Sequence, residues 1–172
     1  MAVSREEMLA HVRAALTARL QGRERAAPPP ALASASPRGC FVSLKTRAGR
    51  LRGCIGTLAP SRDNLADELA ENALAAAFKD PRFQPLEPHE LGGLHISVDL
   101  LSPPEPVDTP DQLDPRRFGV IVRRGSQCGV LLPDLPGVDH PEQQIAICRE
   151  KAGIPEQAPV SLERFTVERF GD

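Results

Sequence analysis

The sequence predicts an α+β fold, an antiparallel sheet with flanking helices, and three observations predict it. Two pairs of strand-like segments, the first alternating and the second apolar, are joined by four-residue turns that contain glycine, Arg47-Ala48-Gly49-Arg50 and Arg124-Gly125-Ser126-Gln127, and strands joined by such short turns must be antiparallel. Helical periodicity falls between these hairpins instead of alternating regularly with single strands. The 172 residues match the usual size of one domain, and no internal repeat divides them.

The elements follow in order. Ser4 and Glu7 form a capping box that starts a helix, with Leu9, Val12, Leu16 and Leu20 on one stripe and Gly22 as its stop. Residues 26–37, AAPPPALASASP, form a Pro/Ala-rich connector, because three consecutive prolines remove backbone donors and exclude regular structure. The first hairpin pairs Cys40–Thr46 with Leu51–Leu58. A helix over Asp63–Lys79 carries Leu65, Leu69, Ala73 and Ala76 on one face and stops before Pro81. Leu94, Ile96, Val98 and Leu100 alternate with polar residues in a strand that SPPEPV breaks. The second hairpin pairs Phe118–Arg123 with Cys128–Leu132. Pro141 opens a helix that Gly153 ends, and one alternating strand, Leu162–Phe170, closes the chain.

Composition excludes several classes of function. The 21 basic and 23 acidic residues give a net charge of -2, so no global field draws in a polyanion, and six Phe with no Tyr or Trp supply few stacking faces. Both argue against nucleic acid. No segment approaches the roughly 18 apolar residues of a membrane span, and Met1–Leu20 is too charged for a signal peptide, which predicts a soluble cytoplasmic protein. Cys40, Cys54, Cys128 and Cys148 lack a C-x-x-C spacing and read as reduced thiols. His11, His89, His95 and His140 lack metal-ligand spacing, so no metal is expected. No phosphate loop or dinucleotide fingerprint is present, and no cofactor is expected.

The candidate site is Leu51-Arg52-Gly53-Cys54-Ile55-Gly56-Thr57. Glycines weaken a strand, so two of them suggest that something approaches the backbone closely. Period two puts Arg52, Cys54 and Gly56 on one face, where arginine favours the thiolate, Gly56 leaves room above the sulfur, and Cys54 becomes the most reactive thiol. The competing reading is a buried structural cysteine, the reading also given to Cys128 and Cys148. His95 lies on the polar face of its strand, and service as a base for Cys54 requires hydrogen-bond reach. Glu71 and Asn72 sit in an apolar helix as a polar face or as partners of a loop. In Asp80-Pro81-Arg82 the aspartate caps a turn or pairs with the arginine.

LRGCIGT, followed by ENALAAAFKDPRFQPL, ISVDLLSPPEPV, GVLLP and CREKAGI, resembles the AMMECR family, known in bacteria and archaea as AmmeMemoRadiSam system protein A. The resemblance covers about Phe41 to Phe170. It implies a large lobe drawn from both chain ends, a smaller middle lobe, and a cleft beside the LRGCIGT strand. It also implies a Memo-type protein and a radical S-adenosylmethionine (radical SAM) protein as partners. The motif positions it carries over are Arg52, Gly53, Cys54, Ile55, Gly56 and Thr57, with Glu71, Asn72, Asp80, Pro81, Arg82 and Phe83. The expected function is an accessory or catalytic subunit in which Cys54 is the catalytic candidate and Arg52, Gly53, Gly56, Thr57, Glu71, Asn72, Asp80 and Arg82 form the binding cleft for a small molecule. The alternative is a protein interaction module without chemistry.

Overall fold

Ser4 Oγ accepts from the Glu7 N–H at 3.1 Å while the Glu7 carboxylate accepts from the Ser4 N–H at 3.0 Å, and helix α1 (Arg5–Leu20) starts at this box. The computed structural model describes residues 3–172. Met1 and Ala2, where the segment read against a signal peptide begins, lie outside the described residues. Among those described, no helix is long and apolar enough to cross a membrane. Met8, Val12, Ala15 and Leu16 are the buried residues of α1, so its stripe is centred slightly off the line through Leu9 and Leu20.

The proline-rich connector is not wholly irregular. Pro30–Ala33 forms one helical turn, α2, with Pro30 at its start and Ala31 and Leu32 buried. Proline at a first helical position gives up only an N–H that has no intrahelical partner, and burial of Leu32 anchors the turn. Strands β1 (Cys40–Lys45) and β2 (Leu51–Thr57) form the first hairpin. Asn64 caps helix α3 (Leu65–Phe78), whose Asp67 N–H donates to the Asn64 side chain at 2.9 Å. Strand β3 (His95–Leu101) follows.

The remaining strands and α-helices are β4 (Glu105–Val107), β5 (Gly119–Arg124), β6 (Gln127–Leu131), α4 (Pro141–Ala152), β7 (Ser161–Phe165) and β8 (Val167–Gly171). They complete an α+β fold with two four-stranded sheets, ordered β2-β1-β3-β8 and β4-β7-β5-β6. The chain divides into two units. One takes the described residues up to Leu101 with Glu168–Asp172, and the other is Ser102–Val167. The first unit therefore comes from both chain ends and the second from the middle, as the family resemblance implied. In the first, α1 and α3 bury Val12, Leu16, Leu69 and Ala73 with Val42, Leu44, Ile96 and Val98 of the sheet. In the second, α4 buries Cys148 with Val120 and Val122.

Three expectations change. The single closing strand is two strands broken at Thr166, whose N–H donates to Ser102 Oγ at 2.8 Å and whose carbonyl accepts from the Ser102 N–H at 3.0 Å. Phe165, Thr166 and Val167 alternate across the junction itself, so period did not mark Thr166 as the point where the chain changes sheets. SPPEPV contains strand β4, at the edge of its sheet, where Pro106 is tolerated. Cys128 is exposed and not core. Gly129 faces α4, since a Cβ there would stand 2.0 Å from the Cys148 carbonyl oxygen, and alternation then turns Cys128 outward.

Candidate functional site

The nine residues read as a site fall on two sides of strand β2. Gly53 faces α3 so closely that a Cβ would stand 2.1 Å from the Ala76 carbonyl oxygen. Thr57, on the same side, donates its hydroxyl to the Glu68 carboxylate. The buried Asn72 donates its amide to Thr57 Oγ1 at 3.2 Å, to the Cys40 carbonyl at 3.1 Å and to Cys40 Sγ at 3.2 Å. Burial pushes the Cys40 thiol up to about 12. Glu71 turns away to ion pairs with Arg25 at 3.5 Å and Arg62 at 3.6 Å. Gly53, Thr57 and Asn72 thus belong to the joint between sheet and helix, and Glu71 lies outside it.

Arg52, Cys54 and Gly56 share the opposite face, as period two requires. The space beside Gly56 is not open: the Phe41 ring fills it, 2.3 Å from where a Cβ would stand, and the Cys40 carbonyl oxygen is 2.5 Å away. This corrects the expectation that glycine leaves the sulfur uncovered from that side. Arg52 does not serve the thiol either. Its Nε and Nη2 donate to the two Glu90 carboxylate oxygens at 2.7 and 2.9 Å, and these bonds hold the Glu90 carboxyl below its ordinary range. Arg52 Nη1 is buried with no hydrogen-bond partner among the described residues. Cys54 itself is half-buried, and its sulfur accepts from the Ser43 hydroxyl at 3.2 Å, its partner residue across the β1–β2 ladder.

Strand β2 is an edge strand, and its outward backbone groups at Cys54 are closed by side chains. The Cys54 N–H donates to Asp80 Oδ2 at 3.0 Å, while Arg82 Nη2 donates to the Cys54 carbonyl at 3.3 Å. Asp80 also accepts from Arg82 Nε and Nη2 at 3.0 and 2.7 Å. The Asp80–Arg82 pair takes the place of a neighbouring strand, one way of protecting a sheet edge. Phe83 completes the support, with its ring centroid 6.0 Å from the Arg52 and 5.5 Å from the Arg82 guanidinium.

The Arg82 hydrogen bonds, then those from the Cys54 and Arg82 backbone, hold the Asp80 carboxyl well below the usual carboxylate range against the opposing effect of desolvation. A depressed carboxyl stabilises the fold above its unfolded value of about 3.9 and loses that contribution as pH falls toward the folded value. Asp80→Asn is expected to cost about 1.5 kcal/mol at pH 7, the scale of charge-assisted hydrogen bonds whose cationic partner can rehydrate; Arg82's side chain is 55% exposed. Urea unfolding should show wild type and variant converging as pH falls below about 4. Parallel curves would contradict this assignment.

His95 lies beyond hydrogen-bond reach of Cys54. It pairs in register with Lys45 of β1, which runs between β3 and β2, and its Nδ1 stands 3.6 Å from Asp172. Among the described residues, no group of three or more His, Cys, Asp or Glu is arranged to hold a metal ion.

Sequence reasoning missed Glu68, which is only 1% exposed and accepts from the Ser61 and Arg62 N–H groups at 2.7 and 2.8 Å besides Thr57. A signal was present: Leu65, Glu68, Leu69 and Asn72 are spaced three, four and seven residues along one helical stripe, so a carboxylate stood on a buried face.

The four thiols differ in environment. Burial pushes Cys148 up to about 11 and Cys40 to about 12, while Cys128 is exposed and Cys54 half-buried. The labelling order expected with iodoacetamide at neutral pH is Cys128 first, Cys54 second, and Cys40 and Cys148 only on unfolding. This revises the sequence-based expectation that Cys54 leads. Peptide mass spectrometry checks it, and labelling of Cys40 or Cys148 as fast as Cys54 in the folded protein would contradict it.

A two-unit α+β chain whose motif strand presents one thiol and is closed along its edge by Asp-Pro-Arg defines the class of protein. The AMMECR1 family model matches residues 9–170, and the chain belongs to that family. It is 53% identical over 133 residues to a protein of Thermotoga maritima, covering 77% of this chain and 76% of that one. It is 47% identical over 132 residues to Protein CA_C1420 of Clostridium acetobutylicum, where the match covers 77% of this chain but 28% of the relative. The crystal structure of the uncharacterized protein PH0010 from Pyrococcus horikoshii is similar, with a TM-score of 0.82 and 28% identity over 96% of this chain and 89% of that one.

Proposed function

We propose that the chain is a subunit of a larger assembly, acting with a Memo-type protein and a radical SAM protein. It offers the Cys54 face of its first sheet to a partner or to the ligand that the assembly handles. The observation that carries this reading is the state of Cys54. Nearly every other motif side chain is committed within the first unit: Arg52 to Glu90, Arg82 to Asp80, Thr57 to Glu68 and Asn72 to Cys40. The half-buried Cys54 thiol accepts a hydrogen bond from the neutral Ser43 hydroxyl. An unpartnered buried N–H on Arg52, on the same face of β2, favours a site over plain packing, since buried donors are rarely left unmet.

The Clostridium relative supports the assembly. There the matched stretch is a small part of a longer chain, so the domain works beside other sequence. With difficult chemistry normally supplied by cofactors, the chain's own contribution is binding and presentation. The test is co-migration of purified chain with both purified partners on size exclusion, wild type against Cys54→Trp. Complex formation by wild type that the bulky substitution abolishes, while its thermal midpoint holds, is the expected result. Absence of any complex, or a complex indifferent to Cys54→Trp, would overturn the reading.

A further inference from the structure

The second unit contains a cavity of about 420 Å³ that lies outside the LRGCIGT strand. Its walls divide by chemistry. Pro103, Pro104, Phe118 and Phe165 supply apolar surface, and Arg117 and Arg164 supply charge. Both guanidiniums use the Phe118 ring, with carbons 5.0 Å (Arg117) and 4.3 Å (Arg164) from its centroid. A cation over an aromatic face is attracted by the ring quadrupole and held in place by it.

The two arginines are not equivalent. Arg164 is fixed by Glu105 Oε2, 3.3 Å from its Nε, and by the Gln112 carbonyl, 2.7 Å from its Nη1. Arg117 has no carboxylate partner among the described residues, and the Phe118 ring is the contact of its guanidinium. Glu105 offsets one positive charge and the second stands uncompensated. A guanidinium docked on an aromatic ring presents a planar fork of donors that matches a carboxylate in two parallel bonds.

We infer that this cavity binds an organic monocarboxylate, whose anionic end pairs with Arg117 and whose apolar body lies against Pro103, Pro104 and Phe118. The charge balance sets the charge of the ligand, and the apolar wall distinguishes it from a bare inorganic ion. The site is independent of Cys54 and of the proposed assembly.

The test uses the full chain, ¹⁵N-labelled, titrated at low salt with benzoate, acetate and phenyl phosphate while amide shifts are followed. Benzoate is expected to give saturable shifts confined to residues around 102–105, 117–118 and 164–166. Acetate should bind at least about tenfold more weakly, because it lacks the apolar body. Arg117→Gln should weaken benzoate at least about tenfold, the scale of one charge-assisted pair, with an unchanged thermal midpoint because Arg117 is exposed. Arg117→Lys should restore only part of the affinity, since it returns the charge without the fork. No saturable shift, shifts centred elsewhere, or affinity untouched by Arg117→Gln would overturn the site. Equal binding of acetate would remove the apolar half of the assignment. Tighter binding of phenyl phosphate would overturn the carboxylate in favour of a phosphate ester.

Discussion

Gly53→Ala is expected to destabilise the protein by about 3 kcal/mol, at the upper end of what overpacking costs. The added methyl would stand 2.1 Å from the Ala76 carbonyl oxygen, and neither partner can yield by rotating a side chain. The carbonyl belongs to α3, whose Leu69, Ala73, Ala76 and Ala77 are all buried in the first core. Relief therefore requires β2 and α3 to separate, which loosens the contacts on both. Gly56→Ala meets the Phe41 ring, a side chain able to shift in part, as well as the Cys40 carbonyl. Its steric cost should outweigh the roughly 0.5 to 1 kcal/mol that replacing glycine gains from unfolded-chain entropy, leaving a net loss of stability. Urea unfolding of both variants at pH 7 checks the pair, and a Gly53→Ala cost below about 1 kcal/mol would show that the close approach is not rigid.

Glu68→Ala should cost about 3 kcal/mol, because it removes a nearly solvent-free carboxylate and leaves both a cavity and several donors without their acceptor. Those donors are the Thr57 and Ser61 hydroxyls and the Ser61 and Arg62 amides. The carboxylate ties the end of β2, the loop that follows it and α3 together, so the consequence is local as well as global. Hydrogen exchange at the Ser61 and Arg62 amides should accelerate even where the rest of the first unit remains protected. A change within about 0.5 kcal/mol, the usual range of surface substitutions, with unaltered exchange would contradict this role.

Short-range patterns carried most of the fold. The Ser4–Glu7 box, both hairpin turns and Gly153 act within a few residues, and each forms where local chemistry places it. What was not legible depends on partners far along the chain. Val167–Gly171 leaves the sheet of Ser161–Phe165 at a point where Phe165, Thr166 and Val167 still alternate. Cys128 faces outward because Gly129 must admit the backbone of α4. The candidate site shows the same division. LRGCIGT announced an unusual strand, and period two sorted its faces correctly. Its glycines, however, answer to Ala76 and Phe41, and Arg52 answers to Glu90, none of which the strand's own sequence reveals. Asp80 and Arg82 close a strand edge, a role visible only once β2 is known to lie outermost.

The proposed function makes the Cys54 face the working surface of the family motif, which can be measured at one atom. The rate of Cys54 alkylation, read by mass spectrometry in the free chain and again with the Memo-type and radical SAM proteins in excess, tests it most directly. The account predicts that the partners slow labelling of Cys54 at least about tenfold, as burial of a reacting thiol does, while exposed Cys128 serves as the internal reference with an unchanged rate. A complex that forms while Cys54 labels at its free rate would contradict the account.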